Sequence, residues 1–278
     1  MIRISAFADE ISPMLDEQIA YLQQAGIRWM EIRFVDGRNV TTLTEEEAIG
    51  VKERLDKAGI GVSAIASPLG KYAIDADFEP HLELLRHTIR LARIFQARMI
   101  RMFSFYAPEG CSEAEHGAQA LDRLRRMVAE VNDEEVLLVH ENEAGIYGHT
   151  ADNCVWLKEQ IASEQFTLAY DPANFVWGEG IIDNVAQCWP KMRPYVTHIH
   201  IKDWKLGSRD IGSLAGDGDG QIEALIAELA RLGYEGFLTL EPHMSSGGQF
   251  GGKTTPEQFD ATLMRVKGYC DRYGLNYE

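Results

Sequence analysis

The strongest constraint on the fold is the regular alternation of short apolar runs with longer segments of helical periodicity. The apolar runs predict strands near residues 2–7, 29–34, 61–66, 98–103, 135–141, 166–171, 196–201 and 237–241. The helical segments lie near residues 14–25, 44–57, 79–96, 113–132, 151–162, 182–189, 221–232 and 256–273. Eight strand–helix units in succession predict an α/β protein, a (β/α)8 TIM barrel that forms a single domain over residues 1–278. An open doubly wound sheet is the alternative, but FADEIS rather than a glycine-rich phosphate turn follows its first strand.

Length, charge and composition agree with an enzyme-sized barrel and narrow the range of partners. The 278 residues suit a barrel of about 250 residues, and 45% apolar residues suffice for its core. A net charge of −16 argues against a nucleic-acid partner, because such binding depends on Lys and Arg contacts. No apolar run reaches the roughly 18 residues of a membrane span, and MIRISAFADE does not resemble a signal peptide. We therefore expect a cytoplasmic protein without a membrane partner. The sequence does not decide whether it forms a homo-oligomer.

The cysteines do not predict a disulfide framework or a zinc knuckle. They are scattered along the chain without CxxC spacing, at Cys111, Cys154, Cys188 and Cys270. In a chain of this length we interpret them as reduced thiols.

Four residues with metal-binding side chains end four of the predicted strands. They close the runs VLLVHE, FTLAYD, VTHIHI and GFLTLE, and they are Glu141, Asp171, His200 and Glu241. In a parallel barrel the C-terminal ends of the strands meet at one mouth, so residues far apart in sequence can share one ion. Carboxylate oxygens and imidazole nitrogens bind divalent metals. A buried carboxylate also needs a partner or an ion, because an isolated buried charge is very costly.

Other polar residues near these strand ends are candidates for substrate contacts. His198, His200 and Lys202 share one face of their strand. We expect His198 to be a core histidine bonded to a backbone carbonyl, and Lys202 to reach a substrate oxygen. Glu143 is either a substrate group or a solvated loop acid, and we prefer the loop acid. The candidate anion contacts are Arg33, Lys71, Arg101 and Lys202, although such residues are more often solvated surface charges.

Two glycine-rich stretches lack the spacing of known ligand loops. Residues 216–220, GDGDG, lack the spacing and final Glu of an EF-hand, so we interpret them as a tight turn that enters a helix. Residues 247–252, GGQFGG, follow the last strand and lack the GxxxxGK[ST] pattern. They are a candidate for a mobile flap over the mouth.

Five motifs in order, HENEAG, DPANF, HIHIKD, GDGDGQI and GYEGFLTLEPH, resemble the xylose isomerase-like TIM-barrel superfamily, in particular its sugar (phosphate) isomerase/epimerase branch. The resemblance implies one divalent ion, with Mn²⁺ expected first and Mg²⁺, Co²⁺ or Zn²⁺ as alternatives. It assigns the ion to Glu141, Asp171, His200 and Glu241. It also implies that Glu141 and Glu241 exchange the substrate proton. The substrate would be a small sugar or sugar derivative, and the expected substrate-binding residues are Asn174, Lys202, His243 and Arg101.

The chain departs from the ketose 3-epimerases of that branch at three places. Asn174 stands where they carry a histidine, Leu206 stands where they carry an arginine, and Asn-Glu-Ala-Gly follows Glu141 in place of their Asn-Arg-Phe-Glu. These departures concern the substrate pocket. They leave proton-transfer chemistry intact and put free ketohexoses in question as substrates.

The leading interpretation is a metal-dependent sugar isomerase or epimerase that works by proton transfer through a metal-stabilised enediolate. The first alternative is a lyase or hydrolase that uses the same residues to eliminate a β-leaving group from a keto-glycoside. An endonuclease IV-like phosphodiesterase is disfavoured by the acidic charge and by the few histidines at strand ends. A non-catalytic sugar-binding protein would not need two acid–base glutamates.

Overall fold

Eight parallel strands close into a barrel, as the sequence predicts. The computed structural model describes residues 1–131, 135–208, 211–246 and 251–278. The barrel strands are β1 (Arg3–Ala6), β2 (Trp29–Ile32), β3 (Gly61–Ala66), β4 (Met99–Met102), β5 (Leu137–Glu141), β6 (Phe166–Tyr170), β7 (Val196–Ile201) and β8 (Phe237–Leu240). Each strand pairs in parallel with its neighbours in sequence, and β1 pairs with β8 to close the ring. The prediction of a single-domain (β/α)8 barrel is confirmed.

The helices surround the barrel. They are α1 (Leu15–Ala25), α2 (Glu45–Ala58), α3 (Glu79–Phe95), α4 (Glu113–Val131), α5 (Ala151–Ile161), α6 (Pro172–Glu179), α7 (Asn184–Gln187), α8 (Trp189–Met192), α9 (Ile222–Leu232) and α10 (Pro256–Tyr273). Their buried apolar faces join the outward side chains of the strands in one continuous core. Among the described residues, no helix is long and apolar enough to cross a membrane.

The helices between β6 and β7 differ from those predicted. The single helix predicted near residues 182–189 is wrong, because two short helices, α7 and α8, occupy residues 184–192. Helix α6 was not predicted at all. Pro172 cannot continue a central strand, and it is the first residue of α6, where its missing N–H costs nothing.

Local signals place other helix ends where the sequence suggests. Thr44 begins α2 by accepting a hydrogen bond from the backbone N–H of Glu47, and the Glu47 side chain accepts one from the Thr44 N–H. This reciprocal pair is a capping box. Gly59 ends the helix in the left-handed region, at φ 73°, where a residue without Cβ is favoured.

The interior of the barrel changes from apolar to charged along its axis. At its N-terminal end, Trp29 and Phe237 pack edge to face with ring centroids 5.2 Å apart, and the Arg3 guanidinium lies 4.1 Å from the centre of the Phe237 ring. The side chains that pack in this layer are those of Ala64, Met99, Val139, Ala169 and Phe237. The Ser5 and Ser63 hydroxyls form a hydrogen bond of 2.7 Å in the interior. The acids and histidines that strand alternation and strand ends direct inward lie toward the mouth.

Two short hairpins lie outside the barrel. One pairs Phe34–Val35 with Arg38–Asn39, and the other pairs Ser245–Ser246 with Gly252–Lys253. The flap predicted at residues 247–252 falls mostly between the strands of the second hairpin. Residues 247–250 lie outside the described residues, so the flap stays a prediction.

Candidate active site

The strand ends bring the four predicted donors into one cluster at the mouth. Glu141 ends β5, Asp171 follows β6, His200 lies near the end of β7, and Glu241 follows β8. One donor atom from each of these residues lies within 4.8 Å of the others, and all four residues are buried. The cluster contains three carboxylates and one imidazole, a donor set that suits a divalent cation.

His200 lies at the centre of the cluster. Its Nδ1 is 2.9 Å from Glu141 Oε1 and 3.7 Å from Glu241 Oε2, and its Nε2 is 3.2 Å from Glu31 Oε2. The Phe7 ring packs edge-on against the imidazole. Burial alone would lower the pKa of His200, but the Glu141 and Glu31 carboxylates outweigh it and raise that pKa well above its ordinary value. The protonated ring therefore balances charge in the cluster when no ion is bound.

Asp171 divides its two oxygens between the fold and the cluster. Its Oδ1 accepts a hydrogen bond from the backbone N–H of Asn174 at 3.1 Å and so caps helix α6. Its Oδ2 is buried without a hydrogen-bond donor and lies 3.5 Å from Lys202 Nζ. Burial raises the pKa of Asp171 to about 7, although the Lys202 charge opposes this. A buried carboxylate oxygen without a donor is costly unless a cation is bound beside it, so these residues fit a metal ion.

Two asparagines hydrogen-bond to the candidate metal ligands Asp171 and Glu141. The Asn142 side chain accepts a hydrogen bond from the Asp171 N–H and donates one to the Asp171 carbonyl, at 2.9 and 2.8 Å. Asn174 donates to the Asn142 carbonyl at 2.8 Å, lies 3.4 Å from Glu141 Oε1, and accepts from Lys202 Nζ at 3.0 Å. Asn174 and Lys202, both predicted to bind substrate, therefore contact the cluster directly.

Two arginines flank the cluster. Arg33 Nη1 donates to Glu241 Oε1 at 2.8 Å, its Nε donates to Asp9 at 2.9 Å, and its Nη2 lies 3.6 Å from Glu10 Oε1. Arg101, another predicted substrate residue, has its Nε 3.4 Å from Glu141 Oε2. The general expectation that such residues are solvated surface charges is wrong for Arg33 and Arg101, which are 4% and 6% exposed.

These cations keep both candidate acid–base groups ionised. Burial would raise the pKa of Glu141, but the His200 and Arg101 charges hold it well below its ordinary value. Burial likewise opposes ionisation of Glu241, yet Lys202 and Arg33 lower its pKa to about 2. Both carboxylates are therefore anions that can bind a cation and accept a proton.

His198 does not have the partner expected from the sequence. It is a core residue, but its Nε2 lies 2.6 Å from Glu31 Oε2 and 3.2 Å from the Thr239 hydroxyl, so a backbone carbonyl as its partner was wrong. Sequence reasoning missed Glu31. The available signal was a carboxylate inside the apolar run WMEI, where a charge is unexpected.

The remaining candidates lie at the rim. His243, predicted to bind substrate, is half-buried with φ 52°; its backbone N–H donates to Glu10 Oε2 at 2.9 Å, and its Nδ1 lies 3.8 Å from Glu10 Oε1. Glu143 follows β5 and forms an ion pair of 2.9 Å with Lys71, so it is a paired acid and not a solvated one; a role as a substrate group stays a prediction.

The GDGDG segment is a turn closed around Asp203. The backbone N–H groups of Gly216, Gly218 and Gly220 donate to the Asp203 carboxylate at 2.8, 2.9 and 2.9 Å. Helix α9 begins soon afterwards, at Ile222. The loop therefore binds a carboxylate of the same chain, as a tight turn before a helix.

Comparisons with known proteins agree with this architecture. The family model for the xylose isomerase-like TIM barrel matches residues 19–274. A search among curated proteins finds no match. Similar solved structures include a D-tagatose 3-epimerase-like protein, with 16% identity over 99% of this chain and 98% of that chain and a TM-score of 0.77.

Two further structures differ in the reactions that their names state. The 3-keto-D-glucoside 4-epimerase from E. coli is 15% identical over 96% of this chain and 100% of that chain, with a TM-score of 0.74. The probable 3-DHS dehydratase from Bacillus anthracis is 17% identical over 96% and 99%, with a TM-score of 0.75. At these identities the similarity shows a shared fold.

Proposed function

The chain belongs to the xylose isomerase-like TIM barrel family, and we propose that it is a divalent-metal-dependent isomerase or epimerase of a sugar or sugar derivative. The observation that carries the proposal is the buried cluster of Glu141, Asp171, His200 and Glu241, with donor atoms within 4.8 Å of one another. The Oδ2 of Asp171, which is buried and among the described residues has no hydrogen-bond donor and only Lys202, at 3.5 Å, as an ion-pair partner, supports a cation there. The mixed oxygen and nitrogen donors suit Mn²⁺ first, with Mg²⁺, Co²⁺ and Zn²⁺ as alternatives.

Proton transfer is assigned to the two glutamates. A divalent ion in the cluster would supply Lewis acidity toward adjacent carbonyl and hydroxyl oxygens and so acidify the neighbouring C–H. Glu141 and Glu241 come from β5 and β8, which two strands separate in the barrel, so they approach a substrate from different directions. One carboxylate takes the proton and the other returns it. Lys202 and Asn174 would hold a substrate oxygen beside them.

The test combines metal content with isotope exchange. Protein purified in Mn²⁺ should contain one ion per chain, and single alanine variants of the four ligands should lose it. Wild-type protein with a panel of ketoses and keto-glycosides in deuterated water should place solvent label at a substrate carbon. Unchanged metal in all four variants would sink the metal site. Sugar binding without exchange or turnover would favour a non-catalytic binding protein instead.

β-Elimination by the same site is the second candidate. It shares the first proton abstraction and differs in the fate of the resulting enediolate, which expels a leaving group. Asn174 in place of the epimerase histidine favours a different substrate pocket. The structural neighbours include a probable dehydratase and an enzyme of a 3-keto-glucoside. Release of an aglycone from keto-glycosides, with no epimer formed, would select this candidate.

A phosphodiesterase with several metal ions fits the site poorly. A further group of potential ligands, Glu10, Glu241 and His243, lies beside the cluster. However, the Arg33 guanidinium already contacts two of its carboxylates, at 2.8 Å from Glu241 and 3.6 Å from Glu10. A second ion there would meet a fixed buried positive charge.

A further inference from the structure

We infer that Glu31 is a positioning residue that holds His200 with Nδ1 toward the metal cluster, and that His198 in turn holds Glu31. The inference rests on the metal site proposed above and adds residues that do not themselves bind the ion. It concerns the barrel interior below the cluster. Residue 31 lies on β2 and residues 198 and 200 on β7, and all three side chains are completely buried.

The two nitrogens of His200 face different partners. Nδ1 faces the cluster, 2.9 Å from Glu141 and 3.7 Å from Glu241. Nε2 faces away from it, 3.2 Å from Glu31 Oε2. A carboxylate can only accept, so this contact places a hydrogen on Nε2. In the protonated, metal-free ring Nδ1 also carries a hydrogen, toward Glu141; an ion that replaced this hydrogen would meet the lone pair of Nδ1, the nitrogen that faces the cluster. A hydrogen bond such as that from Nε2 to Glu31 selects the tautomer and fixes the ring plane of a metal-binding histidine.

Glu31 is itself fixed by a second histidine. The same oxygen, Oε2, accepts a hydrogen bond of 2.6 Å from His198 Nε2, which also lies 3.2 Å from the Thr239 hydroxyl. The side chains of His198 and His200 point to the same face because they are two residues apart in one strand. Both rings therefore converge on one carboxylate oxygen, and the chain of contacts runs from Thr239 through His198 and Glu31 to His200.

Loss of the Glu31 charge should loosen this arrangement. A glutamine retains the shape, but its neutral oxygen is a weaker acceptor, and its NH₂ group cannot accept from either histidine. The His200 ring would then be free to rotate or to change tautomer. Removal of such a supporting partner typically costs about 10–100-fold in metal affinity.

The experiment measures metal binding to metal-free protein. Mn²⁺ and Co²⁺ would be titrated calorimetrically into wild type, Glu31→Gln, His198→Gln and Ser63→Ala. The Co²⁺ absorption spectrum would report ligand geometry, and thermal unfolding of each metal-free protein would report folding. Ser63→Ala is the matched control, because it removes another buried interior hydrogen bond, the 2.7 Å contact with Ser5.

We expect Glu31→Gln to weaken metal binding by about 10–100-fold. The Co²⁺ spectrum should also shift, because the His200 ring is no longer held in one orientation. His198→Gln should weaken metal binding in the same direction but less, and Ser63→Ala should bind as wild type does. A folded Glu31→Gln protein with wild-type affinity and spectrum would overturn the inference. If that variant does not fold, wild-type affinity in His198→Gln overturns it.

Two further results separate this inference from the proposed function. Wild-type protein that binds no metal would mean that the proposed site itself is wrong. Wild-type protein that binds a second ion per chain, which His198→Gln loses, would mean that Glu31, His198 and His200 bind a metal directly, and this would also overturn a positioning role.

Discussion

The two candidate acid–base glutamates lie on opposite sides of one cluster, but their surroundings differ. On the Glu141 side, at the ends of β5–β7, the carboxylate is 2.9 Å from His200 and 3.4 Å from both Asn174 and Arg101. On the Glu241 side, the carboxylate accepts directly from Arg33 at 2.8 Å, and Arg33 is also fixed by Asp9. Each glutamate thus has a close buried cation, but the protonated His200 ring beside Glu141 is itself a candidate metal ligand, whereas the Arg33 guanidinium beside Glu241 is not.

The two glutamates are therefore held in different ways. Arg33 holds Glu241 in one orientation, because a guanidinium donates in a fixed planar geometry. The partners of Glu141 include a candidate metal ligand and two residues that are candidates for substrate binding. An ion in the cluster would take the place of the His200 proton and so change the partner of Glu141, whereas the Arg33 contact of Glu241 would persist.

The largest expected effect is loss of proton transfer. Glu141→Gln and Glu241→Gln each retain an oxygen donor and remove the base, so each should lower substrate C–H exchange with deuterated water by about 10²–10⁴-fold. Because Arg33 stays charged beside Glu241 while the charge of His200 beside Glu141 depends on metal occupancy, the two losses should differ. The control is Glu143→Gln, which removes an acid that pairs with Lys71 outside the cluster. Wild-type exchange in either ligand variant would show that the base has been placed wrongly.

The second prediction compares the two arginines. Arg33→Met leaves Asp9, Glu10 and Glu241 buried without their cation, and breaking a buried ion pair costs about 3–5 kcal/mol of unfolding free energy. Arg101→Met should cost less, because Arg101 lies at 3.4 Å from its nearest carboxylate and its Nε makes no hydrogen bond. Urea unfolding of the metal-free variants measures both. Equal losses of unfolding free energy in the two variants would show that the Glu141 and Glu241 sides of the cluster do not differ in this way.

The smallest expected effect is that of Lys202→Met. Lys202 donates to Asn174 at 3.0 Å and lies 3.5 Å from Asp171, but it is not proposed to move a proton. Loss of one charged hydrogen bond to substrate, about 1.5–3 kcal/mol, should raise KM by roughly 10–100-fold and change kcat less. Steady-state kinetics separates the two constants. A fall in kcat with KM unchanged would instead give Lys202 a role in the transition state.

The fold and the four cluster residues could be predicted from local sequence because each signal is local. An acid or histidine that closes an apolar run must lie at a strand end, and barrel geometry brings strand ends together. Glu31 could not be found in this way. It lies inside its strand, and its partner His198 is 167 residues away, so only the register of the closed barrel shows their contact.

The burial of Arg33 and the presence of helix α6 were missed for related reasons. The burial of Arg33 depends on Asp9 and Glu10, which a turn after β1 brings to it, and no spacing in the sequence encodes that approach. For α6, Pro172 was compatible with two outcomes, the end of a strand and the start of a helix. The Asp171 side chain decides between them, because it caps the helix that follows.

The double role of Asp171 links the inside of the barrel to its outer surface. One of its oxygens starts α6, and this helix carries Trp177, whose side chain is 54% exposed at the rim. An ion in the cluster that shifts the Asp171 carboxylate would therefore also shift the N-terminal cap of α6. The protein has five tryptophans, so a fluorescence change on metal addition that Trp177→Phe removes would report occupancy of the buried cluster.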